Sequence, residues 1–216
     1  MHYVIFDMDG VLVDSEPIHM ELEEHVFAHI GIDFSEAYHH TLVGMAPVQM
    51  WEKIKIDHKI STPIEELLEI EKELKFNEIQ KRDIAENDHV GLLLDTFKKE
   101  AFKLSVGSSS PKKIIEAFTK KTRIQHYFDY LVSSEDVARG KPFPDIFLEV
   151  ARLYNEPADS FVVIEDSKNG VTAAKAAGMK CIGYRNLNSG NQDLSEADFV
   201  ITRFSELSTE RIKVLF

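Results

Sequence analysis

The sequence predicts an α/β fold, a doubly wound parallel sheet with an all-helical cap domain inserted after the first strand. Three observations carry this. Short Val-, Ile- and Phe-rich runs recur along the chain, bounded by Gly, Ser, Asp or Asn, as strands buried on both faces are. Helical patterns lie between them, which is the alternation of a doubly wound sheet. About one hundred residues separate the first run from the second and hold only helical patterns, whereas a lone crossover helix needs about a dozen.

The elements follow in order. Residues 3–6 form the first strand. Ile18, Leu22, Val26 and Ile30 then recur every four residues and stop at Gly31, which marks a helix. Ile64, Leu67, Leu68, Glu71 and Leu74 mark a second, highly charged helix with Pro63 near its start. The insertion is placed at residues 15–86, leaving 1–14 plus 87–216 as the catalytic core. Within it, Trp51 and Phe76 are expected to pack the cap core, and the Lys/Glu-rich stretch 65–82 to be a solvated helix laced with ion pairs. His25 and His29 sit four apart and read as packed or rim residues rather than zinc ligands. A second strand at 104–106 leads into a helix opened by Ser110-Pro111, with the serine as N-cap and the proline at the first helical position. A third strand at 130–132 precedes a helix that Pro144-Asp145 opens and that runs to about Tyr154. A fourth at 161–164 is followed by an Ala-rich helix over 167–177 that ends at Gly178. Strands at 180–184 and 199–201 complete the sheet. Cys181 falls mid-strand and reads as a small buried hydrophobe.

Composition narrows the partners. With 25 Lys and Arg against 37 Asp and Glu, the net charge of the 216-residue chain is −12. Such a surface repels nucleic-acid backbones and anionic lipid headgroups, so neither is an expected partner. A phosphorylated ligand would need a local positive site. The single cysteine suits a reducing cytoplasm. Apolar runs of four or five residues fall far short of the roughly 20 that span a bilayer. The first ten residues read as a strand with no basic leader, so no signal peptide is expected. A soluble, cytoplasmic, monomeric protein is the expectation.

In an open parallel sheet, ligands bind beyond the carboxyl ends of the strands. The residues that follow the predicted strands are Asp7-Met8-Asp9-Gly10, Gly107-Ser108-Ser109-Ser110, Gly140-Lys141-Pro142 and Glu165-Asp166-Ser167. Clustered carboxylates repel one another, and Mg²⁺ is the hard-oxygen remedy. A helix N-terminus with hydroxyls is an anion site, and a lysine adds positive charge. A carboxylate can attack phosphorus, and a neighbour two residues on can move the protons. The set reads as phosphoryl transfer. A calcium loop does not fit, because glycine falls one residue after Asp9 with no third acidic ligand at the right spacing. Ser108 is the better ligand of its cluster, and Ser110 reads as an N-cap alone.

Asp7-Met8-Asp9-Gly10-Val11-Leu12-Val13-Asp14-Ser15 resembles the first motif of the haloacid dehalogenase superfamily of phosphatases and phosphomutases. Ser108, Lys141 and Glu165-Asp166 are similar to its second, third and fourth motifs, in order. The resemblance implies that Asp7 is the nucleophile and a metal ligand. Asp9 would be the general acid/base and lend its backbone carbonyl to the metal. Ser108 and the Ser109 amide would hold phosphoryl oxygens, and Lys141 would bridge phosphate and nucleophile. Asp166 would bind Mg²⁺ directly and Glu165 directly or through water. Because Asp9 is present, phosphoryl transfer is favoured over carbon–halogen cleavage. The cap and Gly140-Lys141-Pro142-Phe143-Pro144-Asp145-Ile146-Phe147 resemble the β-phosphoglucomutase-like branch. There, His19 and the loop Leu42-Val43-Gly44 would face a substrate. Pro47 stands where the mutase carries an arginine that grips the distal phosphate, which favours a hydrolase. His89-Val90-Gly91 replaces the usual Pro-Gly turn. The expected function is a Mg²⁺-dependent phosphatase of a small phosphorylated metabolite, with sugar phosphates foremost. The alternatives are a phosphomutase and, more remotely, a phospho-accepting receiver domain, which is shorter and lacks the helical insertion.

Overall fold

The structure, a computed structural model, describes residues 1–33, 35, 38, 41, 42, 45 and 47–216, without the side chains of residues 16, 17, 19, 20, 22, 23 and 29. Six strands form one parallel sheet: β1 (Tyr3–Phe6), β2 (Lys103–Ser108), β3 (Tyr130–Ser133), β4 (Phe161–Glu165), β5 (Lys180–Tyr184) and β6 (Phe199–Ile201). Their order is β3-β2-β1-β4-β5-β6. All pairs are parallel, with Tyr3 opposite both Lys103 and Phe161. The chain winds outward from β1 on one side and from β4 on the other. The switch point, where a crevice opens beyond the strand ends, therefore lies between β1 and β4.

Between β1 and β2 come α1 (Glu16–His29), α2 (Pro47–His58), α3 (Ile64–Lys81) and α4 (Val90–Lys99). The later helices are α5 (Lys112–Lys121), α6 (Asp145–Tyr154), α7 (Lys168–Ala176) and α8 (Thr209–Lys213). Among the described helices, none is long and apolar enough to cross a membrane. The period-two geometry of the strands divides the core. Val4 and Phe6 of β1 point to the face covered by Leu94 and Phe97 of α4 and Ile115 and Phe118 of α5. Tyr3 and Ile5 point to the opposite face, under Phe147 and Val150 of α6 and Val171 and Ala174 of α7. Cys181 is buried on this second face, as its position predicts.

The helices after β1 build a core of their own from Val26, Phe27, Met50, Trp51, Ile54 and Leu67. Trp51 meets Phe27 edge to face at 6.2 Å, and its indole N–H donates to Glu71 at 2.6 Å. Phe76 does not join this cluster. It packs with the α4–α5 face, where the Lys113 ammonium lies 4.2 Å over its ring. α3 carries ion pairs, as between Lys72 and Glu69 at 2.8 Å and between Lys81 and Glu78 at 2.9 Å. It is not simply solvated, because Leu67, Lys75 and Ile79 are buried. His25 is exposed. The side chains of Leu22 and His29, and residues His39, His40 and Val43, lie outside the described set.

Gly31 and Gly178 end their helices at φ +76° and +78°, the left-handed turn that glycine permits. His89 opens α4 at φ +67°, so the turn expected to differ there is made by a side-chain-bearing residue. Pro111 rather than Ser110 occupies the N-cap of α5, which starts at Lys112, so the Ser110 hydroxyl is released from capping. Ser167 caps the N-terminus of α7, its Oγ accepting the Gly170 N–H at 3.0 Å.

Gly170 lets that helix approach the end of β4. A Cβ at this position would lie 1.7 Å from Oε1 of Glu165 and 2.3 Å from Oε2. Helix propensity favours Ala over Gly by about 1 kcal/mol, but intruding on a buried carboxylate costs about 1–3 kcal/mol. Gly170→Ala is therefore expected to lower the urea midpoint of unfolding. An unchanged or raised midpoint would mean that the contact yields without cost.

Candidate active site

Three chain segments bring four charged side chains to the switch point. Asp7 directly follows β1, and its N–H donates to the Ile164 carbonyl of β4 at 2.9 Å. Glu165 ends β4 and Asp166 follows it, and Lys141 arrives from the connection between β3 and α6. All four side chains are buried. The Lys141 ammonium spends its three protons on Asp7 Oδ1 at 2.6 Å, Glu165 Oε1 at 2.6 Å and the Gly107 carbonyl at 2.9 Å. Oε2 of Glu165 accepts the Ser167 N–H and hydroxyl, both at 3.0 Å. Asp166 Oδ2 accepts the Ser189 hydroxyl at 2.5 Å.

Asp7, Glu165 and Asp166 each offer an oxygen within 4.8 Å of the others. One ammonium among these carboxylates does not balance their charge. Burial, with Glu165 and Asp9 adding to it, pushes the Asp7 carboxyl up to about 8 against the opposing pull of Lys141. Burial opposes the charge on Lys141, but Asp7 and Glu165 outweigh it and hold the ammonium above its ordinary value. A buried, all-oxygen, electron-rich cluster whose charge one lysine only partly offsets fits a hard divalent cation such as Mg²⁺.

Asp9 stands at the edge of this cluster, less buried than Asp7. Ser15 donates to its Oδ1 at 2.7 Å and Ser110 to its Oδ2 at 2.6 Å, with Ser108 at 3.5 Å. Ser108 is wholly buried, and its Oγ accepts the Ser110 N–H at 3.0 Å. The expectation that Ser110 only caps a helix is thus corrected. The proline after it takes the cap, and its hydroxyl turns to Asp9. Ser109 lines the cleft, and its carbonyl accepts the Ser134 hydroxyl at 2.7 Å. The Asp7–Asp9 turn is itself tied down. Gly10 takes φ +79°, and its carbonyl accepts from Asn87 at 2.8 Å and Asn186 at 3.0 Å.

A cleft of about 680 Å³ opens above the acidic cluster. Its floor includes Asp7, Asp9, Ser109, Lys141 and Asp166. Its far wall comes from α2 and α3, with Gln49, Leu68, Lys72 and Lys75 among the lining residues. Pro47, the first residue of α2, also lines it. Lys72 reaches across to Glu135 at 4.0 Å. Arg139 at the rim is paired with Asp145 at 2.7 and 3.0 Å and stacks 4.5 Å from the Phe143 ring. The side chain of His19, and Gly44, lie outside the described residues. The structure thus gathers Asp7, Asp9, Ser108, Ser109, Lys141, Glu165 and Asp166 at one place. Sequence reasoning missed Ser15, Ser110, Asn87, Asn186 and Ser189. The Ser-Pro pair at 110–111 hides one, and the loop after β5 carries no pattern that points inward.

The sequence pattern of the haloacid dehalogenase-like hydrolases matches residues 4–184. A phosphorylated carbohydrates phosphatase from Thermotoga maritima is 32% identical over 214 residues, covering 96% of this chain and 96% of its own. The β-phosphoglucomutase of Bacillus subtilis is 30% identical over 219 residues, covering 97% of this chain and 93% of its own. A solved structure of CbbY from Rhodobacter sphaeroides shares the fold, with a TM-score of 0.87 at 24% identity and 96% of each chain covered. The match of family pattern, relatives and fold leads to one assignment: the chain is an enzyme of the haloacid dehalogenase-like hydrolase family, in its β-phosphoglucomutase-like branch.

Proposed function

We propose that this enzyme is a Mg²⁺-dependent phosphatase that hydrolyses a small phosphorylated metabolite, in the first instance a sugar phosphate, through a phospho-aspartyl intermediate on Asp7. The observation that carries this reading is the contrast between two aspartates two residues apart. Asp7 is buried and clamped by Lys141, while Asp9 stands at the edge of the acidic cluster with hydroxyls on both its oxygens. The Thermotoga maritima and Bacillus subtilis relatives support phosphorylated carbohydrates as the substrate class.

In the first step, a carboxylate oxygen of Asp7 attacks phosphorus, and the bond from phosphorus to the leaving oxygen breaks. Asp9 gives that oxygen its proton. In the second, Asp9 takes a proton from water as the water oxygen attacks phosphorus, and the acyl-phosphate bond breaks to return Asp7 and release inorganic phosphate. Lys141 offsets negative charge on Asp7 and on the phosphoryl oxygens, and Ser108 and the Ser109 amide hold those oxygens. Asp7, Asp166, Glu165 and the Asp9 carbonyl would hold Mg²⁺, whose charge lowers the repulsion between this site and a phosphate.

Residues 15–86 are read as a cap over the core of 1–14 and 87–216, closing the cleft and setting specificity. Hydrolysis is favoured over isomerisation by Pro47, which brings neither charge nor N–H to the cleft wall. A monomer acting in the cytoplasm completes the reading.

A panel of sugar phosphates incubated with Mg²⁺ is expected to release inorganic phosphate from some members. Loss of the metal should stop the release. Conversion of β-glucose 1-phosphate to glucose 6-phosphate with little free phosphate would make the enzyme a mutase instead. Asp7→Asn is expected to remain folded and to lose at least about 10⁴-fold in turnover. Retained activity would remove the nucleophile. Asp9→Asn should slow sugar-phosphate turnover by about 10²–10⁴-fold. With an aryl phosphate, whose leaving group needs no acid, the same variant should show a stoichiometric burst followed by slow hydrolysis. A linear time course at wild-type rate would deny Asp9 its role.

A further inference from the structure

The loop after β5 reaches the acidic cluster from outside every motif used so far. Ser189 is 3% exposed, and its hydroxyl donates to Asp166 Oδ2 at 2.5 Å. The loop that presents it is held on both sides. Asn186 donates to the Gly10 carbonyl at 3.0 Å and Asn188 to Asp14 at 2.6 Å. Gln192 donates to the Ser189 carbonyl at 3.1 Å and accepts the Lys168 N–H, at the start of α7, at 3.2 Å. Ser189 thus sits on a braced loop that joins the Asp7–Asp9 turn to the helix after Asp166.

The same oxygen is confined by the backbone at Gly10. A Cβ on Gly10 would lie 1.9 Å from Asp166 Oδ2 and 3.0 Å from Ser189 Oγ. The carboxylate of an aspartate rotates about a broad, roughly two-fold torsion, so its plane is set by what surrounds it. The Gly10 backbone and the Ser189 hydroxyl both lie against Oδ2.

We propose that Ser189 is a positioning residue for the divalent-cation site: by binding Oδ2, its hydroxyl fixes the Asp166 carboxylate in the orientation that faces Asp7 and Glu165. The proposal rests on the reading of that cluster as a Mg²⁺ site. Partners of this kind, which touch a ligand and not the metal, typically change metal affinity by about 10–100-fold when removed.

The test is a Mn²⁺ titration of the full chain without substrate, read from the magnetic-resonance signal of free Mn²⁺. Ser189→Ala should weaken binding by about 10-fold or more while leaving the metal-free melting temperature unchanged. Ser189→Thr, which keeps the hydroxyl, should bind close to the wild type. Wild-type affinity in Ser189→Ala overturns the proposal. So does an equal loss in Ser189→Thr and Ser189→Ala, which would assign the effect to loop packing. If Ser189→Ala does not fold, the near-isosteric pair Ser189→Thr and Ser189→Val decides: weaker binding by the valine variant alone supports the proposal, and equal affinity overturns it. Failure of the wild type to bind Mn²⁺ would instead overturn the metal site itself, and the two failures are thereby distinguished.

Discussion

The ammonium of Lys141, 2.6 Å from both Asp7 and Glu165, is the interaction on which the site depends. It joins the ends of β1 and β4 and donates its third hydrogen bond to the Gly107 carbonyl of β2. Desolvating these charges costs several kcal/mol each, and only close pairing with full hydrogen bonding offsets it. Removing one partner of such a buried pair typically costs about 3–5 kcal/mol, because a charge is left stranded. The lysine is therefore a structural condition of the acidic cluster as well as an electrostatic one. It is also insufficient alone, as the upward displacement of the Asp7 carboxyl to about 8 indicates.

The rest of the architecture serves that grouping. Parallel winding brings the carboxyl ends of all strands to one edge, and the switch between β1 and β4 puts Asp7 beside Glu165. Two glycines let backbone press against the carboxylates, Gly10 on Asp166 and Gly170 on Glu165. The helices between β1 and β2 place Lys72 and Lys75 on the opposite wall of the cleft. Lys141 and these two lysines thus line a cleft in a chain of net charge −12. They offset only part of the negative charge of the carboxylates that share the cleft, Asp7, Asp9, Glu165 and Asp166 among them.

Much of this was legible in the sequence, for physical reasons. Strands such as Tyr3–Phe6 and Lys180–Tyr184 are buried on both faces and read as short apolar runs, so their positions are plain. α6 begins at Asp145 and ends at Tyr154, as the Pro144-Asp145 pair implies. The residues that carry charge at strand ends are equally plain, because a parallel sheet gathers them whatever its loops do. What was hidden depends on where a side chain turns in three dimensions. Ser110 has the local pattern of a helix cap, yet the proline takes that place and the hydroxyl goes to Asp9. Phe76 lies on the helical stripe that meets α5 rather than the cluster around Trp51. Ser189 sits in a polar loop with no periodicity, and only the folded contact with Asp166 reveals it.

The proposed role of Asp7 is to carry the phosphoryl group between the two steps. Its most direct test is acid quenching of the enzyme during turnover of a substrate labelled in the phosphoryl group, with the label located by peptide mass analysis. Label is expected on Asp7 and, with an aryl phosphate whose leaving group needs no acid, in an amount that rises when Asp9 is replaced by Asn. Turnover with no label on the protein, or with label on another residue, would contradict it.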